Sequence, residues 1–209
     1  NYVSPCPKLR SGQSLRNRPM RIERGFDPLF WALYCGSPSR RLNRPRKAKE
    51  LQFNMEIDYL CNHPALIPEW AELNFKEWGQ FKPGDTLQAR TERMCAACGK
   101  GAVPTVLVAL DGTQLLGGAL LIESDLESRP ELTPWLAGVY VKAEHRGRGI
   151  ASGLVSRIVE EAAALAIPRL FLYTDSAQSL YARLGWEIVE QLDDDGLEVT
   201  VMARDTSKV

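Results

Sequence analysis

Histidine is nearly missing from this chain: His63 and His145 are the only two in 209 residues. Neither sits in a Ser/Asp or Cys arrangement from which a hydrolytic triad could be built, so serine-nucleophile chemistry finds no support. Cysteine is sparse and odd in number, at Cys6, Cys35, Cys61, Cys95 and Cys98. Only Cys95-x-x-Cys98 has metal-ligand spacing, and without a second pair or a nearby histidine it does not make a zinc or redox site. No metal is expected. With no signal peptide read in the chain, the odd count suggests a reducing compartment, and a cytoplasmic location is expected. Long apolar runs are also lacking. The longest, around residues 115–122, is far too short to span a bilayer, so no membrane anchor is implied. Hydrophobic residues still make up 44% of the chain, enough for one sizeable core.

Net charge is absent only as a sum. Residues 1–54 hold 12 Lys+Arg against 3 Asp+Glu, and residues 55–209 hold 14 against 23, so the two segments carry +9 and −9. The first segment shows no sustained period and contains Pro5, Pro7, Pro19, Pro28, Pro38 and Pro45, so a largely disordered basic extension is expected there. It reads as a nucleic-acid or acidic-surface arm, as an Arg-rich targeting peptide, or as sequence upstream of the true start codon. The last is favoured, because Met55 makes a natural chain start. Nucleic acid is not an expected partner except through residues 1–54, where binding would be steeply salt-dependent. Residues 55–209 are expected to form the folded domain.

What the chain does contain is Val139-Tyr140-Val141-Lys142-Ala143-Glu144-His145-Arg146-Gly147-Arg148-Gly149-Ile150-Ala151, a strand pattern that passes through a polar gap into an arginine-and-glycine turn. Ile150, Leu154, Ile158, Ala162 and Leu165 then recur at steps of three and four, which predicts a helix, and Pro168 ends it before the buried-strand pattern of residues 169–174. The order is strand, glycine turn, helix, strand. Glycines let a backbone approach a ligand closely, and the first N–H groups of a helix have no partner within it, so this turn suits an anion such as a pyrophosphate. Arg146 and Arg148 add positive charge. A dinucleotide fingerprint fits less well, because Ser152 stands where the third glycine is needed and Lys142 to His145 separate the strand from the turn, although Asp175 lies at a plausible distance.

Elsewhere the patterns predict a strand at 55–60, helices at 65–78 and 85–98, and paired strands at 104–111 and 114–123 joined by Asp111-Gly112. A strand at 135–142 leads into the glycine turn. A helix at 177–184 and strands at 186–191 and 197–203 complete the chain, with a turn at Asp193 to Gly196. His145 is expected at the surface of its turn.

Arg146-x-x-Gly149-x-Ala151 after a valine-rich strand resembles the acyl-CoA pyrophosphate loop of the GCN5-related N-acetyltransferases (GNAT). The segment Thr174 to Trp186, with Tyr181 on a helix that ends at Gly185-Trp186, is similar to a later element of that family, which usually has asparagine where Thr174 stands. The resemblance covers roughly residues 55–204. It implies an α/β GNAT fold: a mixed central sheet of about seven strands flanked by about four helices, whose fourth and fifth strands, here 135–142 and 169–174, splay apart to admit pantetheine. It also implies an N-acetyltransferase using acetyl-CoA by direct attack of a primary amine in a ternary complex. Val139 and Val141 would pair with the pantetheine amides as an added strand does, with Tyr140 between them also at the cofactor. Arg146, Gly147, Arg148, Gly149, Ile150 and Ala151 would hold the pyrophosphate, and Thr174 would lie near the pantetheine. Tyr181 matches the tyrosine that faces the thioester sulfur and protonates the departing thiolate.

The general base is read from the residues, with the fold as background. Glu123, Asp125 and Glu131 surround the end of the strand at 114–123, and Asp125 is the first choice because residues 125–135 look like a substrate-side loop, with Pro134-Trp135 either lining its entrance or buried in the core. Ionisation costs rank the tasks. A free amine with a pKa of about 10.4 costs about 4 to 5 kcal/mol to prepare at pH 7, and a thiolate with a pKa of about 8.5 costs about 2 kcal/mol to release. The acidic balance of residues 55–209 suits a cationic acceptor, whether a polyamine, an aminoglycoside or a lysine-like side chain, and an amino acid or another small amine is an open alternative. A homodimer is also compatible with the resemblance. A catalytically silent acyl-CoA-binding or interaction module is the alternative.

Overall fold

Apolar residues alternate along Val106, Val108 and Leu110 on one hand and Leu107 and Ala109 on the other, and all five are buried. A strand with both faces covered needs helices on both sides, and the chain supplies them. In the computed structural model, which describes residues 54–208, the elements run β1 (Met55–Tyr59), α1 (Ile67–Trp78), α2 (Leu87–Ala96), β2 (Thr105–Asp111), β3 (Gln114–Ile122), β4 (Trp135–Val141), α3 (Ile150–Ala164), β5 (Arg169–Thr174), α4 (Gln178–Arg183), β6 (Glu187–Asp194) and β7 (Leu197–Asp205). This is the mixed α/β layout expected above. Its boundaries shift by a few residues: α2 closes at Ala96, and the last hairpin extends to Asp194 and Asp205. The expectations for residues 1–53 lie outside the described residues.

The sheet order is β1-β2-β3-β4-β5-β7-β6, and every neighbouring pair is antiparallel except β4 and β5. The two-residue loop after Asp111, with Gly112 at φ +60°, joins β2 to β3 as its sequence predicts. One face of the sheet packs on α3, whose Ile150, Leu154, Val155, Ile158 and Val159 are at most 1% exposed. Burying those five side chains contributes on the order of 10 kcal/mol of apolar transfer, which holds α3 in place. The other face packs on α1 and α2 through Trp70, Ala71 and Met94. Beyond β4 a third cluster of Leu126, Trp135, Phe171, Val201 and Ala203 is covered by the segment between β3 and β4. That segment is tied to β6 by Arg129, which donates to Glu190 at 2.6 and 2.9 Å, and by Ser128, which donates to Asp194 at 2.8 Å. Among the described residues no helix is long and apolar enough to cross a membrane.

Candidate active site

After β4 the chain makes a short 3-10 turn at Ala143–His145 and then adopts two left-handed backbone positions, Gly147 at φ +76° and Gly149 at φ +80°. A side chain at either would meet nothing within 4 Å, so it is the conformation, and not the space, that calls for glycine. Gly149 is the N-cap of α3 and offers no side chain to its first turn, which carries no acidic residue either. Among the described residues these first-turn N–H groups have no partner, and the residues that carry them border a hollow of about 260 Å³ lined by Val141, His145, Arg146, Gly147, Gly149, Ile150, Ala151, Ser152 and Leu180. Leu180 belongs to α4, so the fold brings the two sequence motifs to one place. Arg146 is anchored there: its Nε donates to the Val141 carbonyl at 2.9 Å and its guanidinium lies 5.7 Å from the Tyr140 ring centre. His145, expected at the surface, is instead tucked in, with a side chain 12% exposed and Nδ1 buried and, among the described residues, without a partner. The 3-10 turn folds its ring towards Gln114, whose Nε2 is 3.3 Å from His145 Nε2.

Val141, at the end of β4, borders this hollow, and β4 itself parts from its neighbour β5. β4 and β5 pair only at Trp135↔Phe171, so the two strands part above that point. Along the gap, β4 bulges: between the pairs Gly118↔Tyr140 and Leu120↔Ala137, Gly138 and Val139 together oppose Ala119, and Gly138 takes φ +55°. Val139 thus lies on the irregular stretch of the strand, and Tyr140 directly follows it. Thr174, at the far end of β5, uses its Oγ1 to accept from Ser176 N at 3.3 Å and Ala177 N at 2.9 Å. Its hydroxyl therefore shapes the turn into α4. Arg148 lies on the same glycine turn but does not border the hollow.

Tyr181 sits on α4 at 8% exposure, with its ring edge-on to Trp186 at 6.2 Å. Burial pushes its hydroxyl up to about 12, and among the described residues it makes no hydrogen bond. Asp125 follows β3, and burial pushes its carboxyl up to about 6 against the opposing pull of Lys82. Tyr173 on β5 is pushed up to about 12 by burial and then by the nearby charges of Asp125, Asp194 and Asp175. Glu123 and Glu131 are exposed, and Trp135 is fully buried with its Nε1 donating to the Leu132 carbonyl at 2.6 Å, so it belongs to the core. The sequence reading missed Asn74, buried on α1 with its side-chain nitrogen 3.2 Å from where a Cβ on Gly138 would lie. Its position in phase with Trp70 and Trp78 was the available signal.

Comparison with known proteins places this geometry. No curated protein sequence matches the chain. Among solved structures, an aminoglycoside 6'-N-acetyltransferase complexed with coenzyme A is 18% identical, covers 72% of this chain and 97% of its own, and superposes with a TM-score of 0.59. An N-acetyltransferase from Staphylococcus aureus Mu50 is 21% identical, covers 73% and 99%, and also gives 0.59. A chimera of the spermidine N-acetyltransferase SpeG from Vibrio cholerae and hSSAT is 19% identical, covers 74% and 96%, and gives 0.58. These likenesses share the fold, and the family model for the acetyltransferase (GNAT) family matches residues 67–186. With more than half of its length matched, the chain belongs to the acetyltransferase (GNAT) family.

Proposed function

We propose that residues 55–209 form an N-acetyltransferase that moves the acetyl group of acetyl-CoA to a primary amine by direct attack in a ternary complex. The observation that carries this reading is the parting of β4 from β5 together with a hollow at the N-terminus of α3 that Val141, the last residue of β4, borders. The hollow suits a pyrophosphate, since helix N–H groups, the left-handed glycines and Arg146 all favour an anion there. The gap suits an extended amide-bearing arm, which would pair with the backbone of Val139 and Val141 as an added strand.

In the reaction the amine nitrogen attacks the thioester carbonyl carbon, the C–S bond breaks, and the electron pair leaves on sulfur. The proton lost by the amine goes to Asp125, directly or through water. An ordinary carboxylate near 3.8 lies about 6 to 7 pKa steps below an amine; one near 6 lies about 4 below it, which lowers the cost of that transfer by about 3 kcal/mol. Tyr181 faces the opposite problem. With its hydroxyl near 12, full transfer to a thiolate near 8.5 costs about 5 kcal/mol. Its contribution is therefore chiefly a hydrogen bond to the departing sulfur, with the thiol's proton completed from solvent. The acceptor is a cationic amine, drawn by the acidic balance of residues 55–209 and by Asp125, Asp175 and Asp194 around Tyr173. Likeness to aminoglycoside and spermidine acetyltransferases is compatible with that class.

Calorimetry of acetyl-CoA with the full chain and with Arg146→Ala, beside a thiol-release assay over a panel of amines, tests the reading. Tight binding weakened at least about tenfold in Arg146→Ala, with thiol release for some amine, is the expected result. Binding without release for any amine would favour a silent acyl-CoA-binding module. No binding at all would remove the assignment of the glycine turn.

A further inference from the structure

Asn74 stands on the face of the sheet opposite α3 and is 5% exposed. Its Oδ1 accepts from Arg90 Nη1 at 2.5 Å, and its backbone carbonyl accepts from the same nitrogen at 3.1 Å. A guanidinium can only donate, so the amide is oriented without ambiguity: oxygen towards Arg90, nitrogen away from it. Arg90 is itself fixed, its Nε and Nη2 donating to Asp85 at 2.8 and 2.5 Å, and Arg93 donates to the other Asp85 oxygen at 2.6 Å. The amide nitrogen points at the β4 bulge, 3.2 Å from the Cβ that Gly138 lacks, with Trp78 next to it. Among the described residues this nitrogen donates to no acceptor.

Asn74 Nδ2 is not among the fully buried atoms that lack a partner, so it keeps some contact with water, and a ligand that displaces that water must supply an acceptor or leave the amide unsatisfied. The attacking amine nitrogen cannot serve, because its lone pair is committed to the carbonyl carbon. An oxygen close to that nitrogen can. We infer that the Asn74 amide, held by Arg90 beside the β4 bulge, binds an oxygen of the acceptor, so that the acceptor is an amine bearing a hydroxyl, ether or carbonyl oxygen near its nitrogen rather than a plain alkyl polyamine. This inference rests on the transferase reading above and narrows its substrate class. Trp78 and Tyr140, edge to face at 6.2 Å, provide an apolar wall for the carbon skeleton that joins the two groups. The selectivity follows from the unpaired donor: an acceptor lacking the oxygen leaves the amide unsatisfied when water is expelled.

The test compares ethanolamine with propylamine, which differ by hydroxyl against methyl, and adds spermidine as an oxygen-free polycation. Binding of each to the CoA-loaded full chain is measured by calorimetry, and turnover with acetyl-CoA is measured separately. The wild type should bind ethanolamine about tenfold more tightly than propylamine, the scale of one well-formed hydrogen bond. Asn74→Asp keeps an oxygen for Arg90 while removing the donor. It should erase or reverse that ratio without lowering the thermal midpoint or the affinity for CoA. Equal binding of the two amines by the wild type, a ratio that Asn74→Asp leaves unchanged, or binding of no amine would each overturn the inference. A ratio that depends on Asn74 with no turnover would support it while removing the transferase reading. Turnover of spermidine with no preference for ethanolamine would do the reverse.

Discussion

At about pH 8 the Asp125 carboxylate is ionised in a place that favours its acid form up to about pH 6. The shift is upward, from 3.8 in the ordinary group to about 6 in the fold, and burial is its largest cause. The folded state therefore gains full advantage from this group only below about pH 4 and loses that advantage as pH rises through 6. A shift of about two steps corresponds to about 3 kcal/mol, and allowing for relaxation and water about 2 kcal/mol remains. The substitution Asp125→Asn keeps the shape of the side chain and removes its charge. The variant's thermal midpoint should exceed that of the wild type by about 4 to 8 °C at about pH 8 and by nothing at about pH 4. If Asp125 is the base, kcat/KM should rise through an apparent pKa near 6 in the wild type, and Asp125→Asn should lose that limb along with about a hundredfold in rate. A midpoint difference of equal size at both pH values would refute burial as the cause. A pH–rate profile that Asp125→Asn leaves intact would refute the catalytic role while leaving the stability argument standing.

Tyr181→Phe should lower kcat about tenfold with little change in the affinity for acetyl-CoA; a large affinity loss at unchanged kcat would show a packing role instead. Gly149→Ala meets no atom within 4 Å but must hold φ +80°, so a stability loss of about 1 kcal/mol is expected in denaturant titration, with a larger loss in acetyl-CoA affinity. A normal affinity would disconnect this turn from the cofactor. Burial alone would raise the Asp85 carboxyl, but hydrogen bonds from Arg93 and Arg90 and their charges together lower it to about 2, so it adds stability that is present above about pH 4 and lost as pH falls towards 2. Asp85→Asn should cost about 1 kcal/mol at neutral pH, after allowance for solvent screening, and nothing near pH 2, as read from acid unfolding curves.

Much of this fold was legible in the sequence because its signals are local. The apolar steps from Ile150 to Ala162, the Asp111-Gly112 turn and the paired glycines before α3 each act within a few residues, and all three lie where they were expected. The β4 bulge was not legible. Gly138 looks like any small residue in an apolar strand, and only pairing with β3 shows that Gly138 and Val139 share one opposite residue. Burial of charge was missed in the same way. Arg90 lies in a polar stretch of α2 and reads as solvated, yet it is 8% exposed because Asp85 and Asn74 satisfy it from two other segments. His145 failed as a surface residue for a related reason: a polar side chain in a turn reads as exposed until a neighbouring hairpin closes over it.

The parting of β4 and β5 means that this sheet contains an edge in its middle. Backbone groups that would ordinarily be shielded by a neighbouring strand face an opening along residues 136–141, while β4 is laddered to β3 apart from its bulge and β5 is laddered to β7 from Arg169 to Thr174. Amide exchange should therefore report a soft seam through an otherwise slow-exchanging sheet, with Val139 and Val141 among the faster positions. An extended arm lying in the seam would act as a temporary strand, joining two half-sheets that otherwise share one ladder pair and the back of α3. Occupancy would then be readable as rigidity, since slowed exchange on β4 and a raised unfolding temperature would both scale with the fraction of molecules filled.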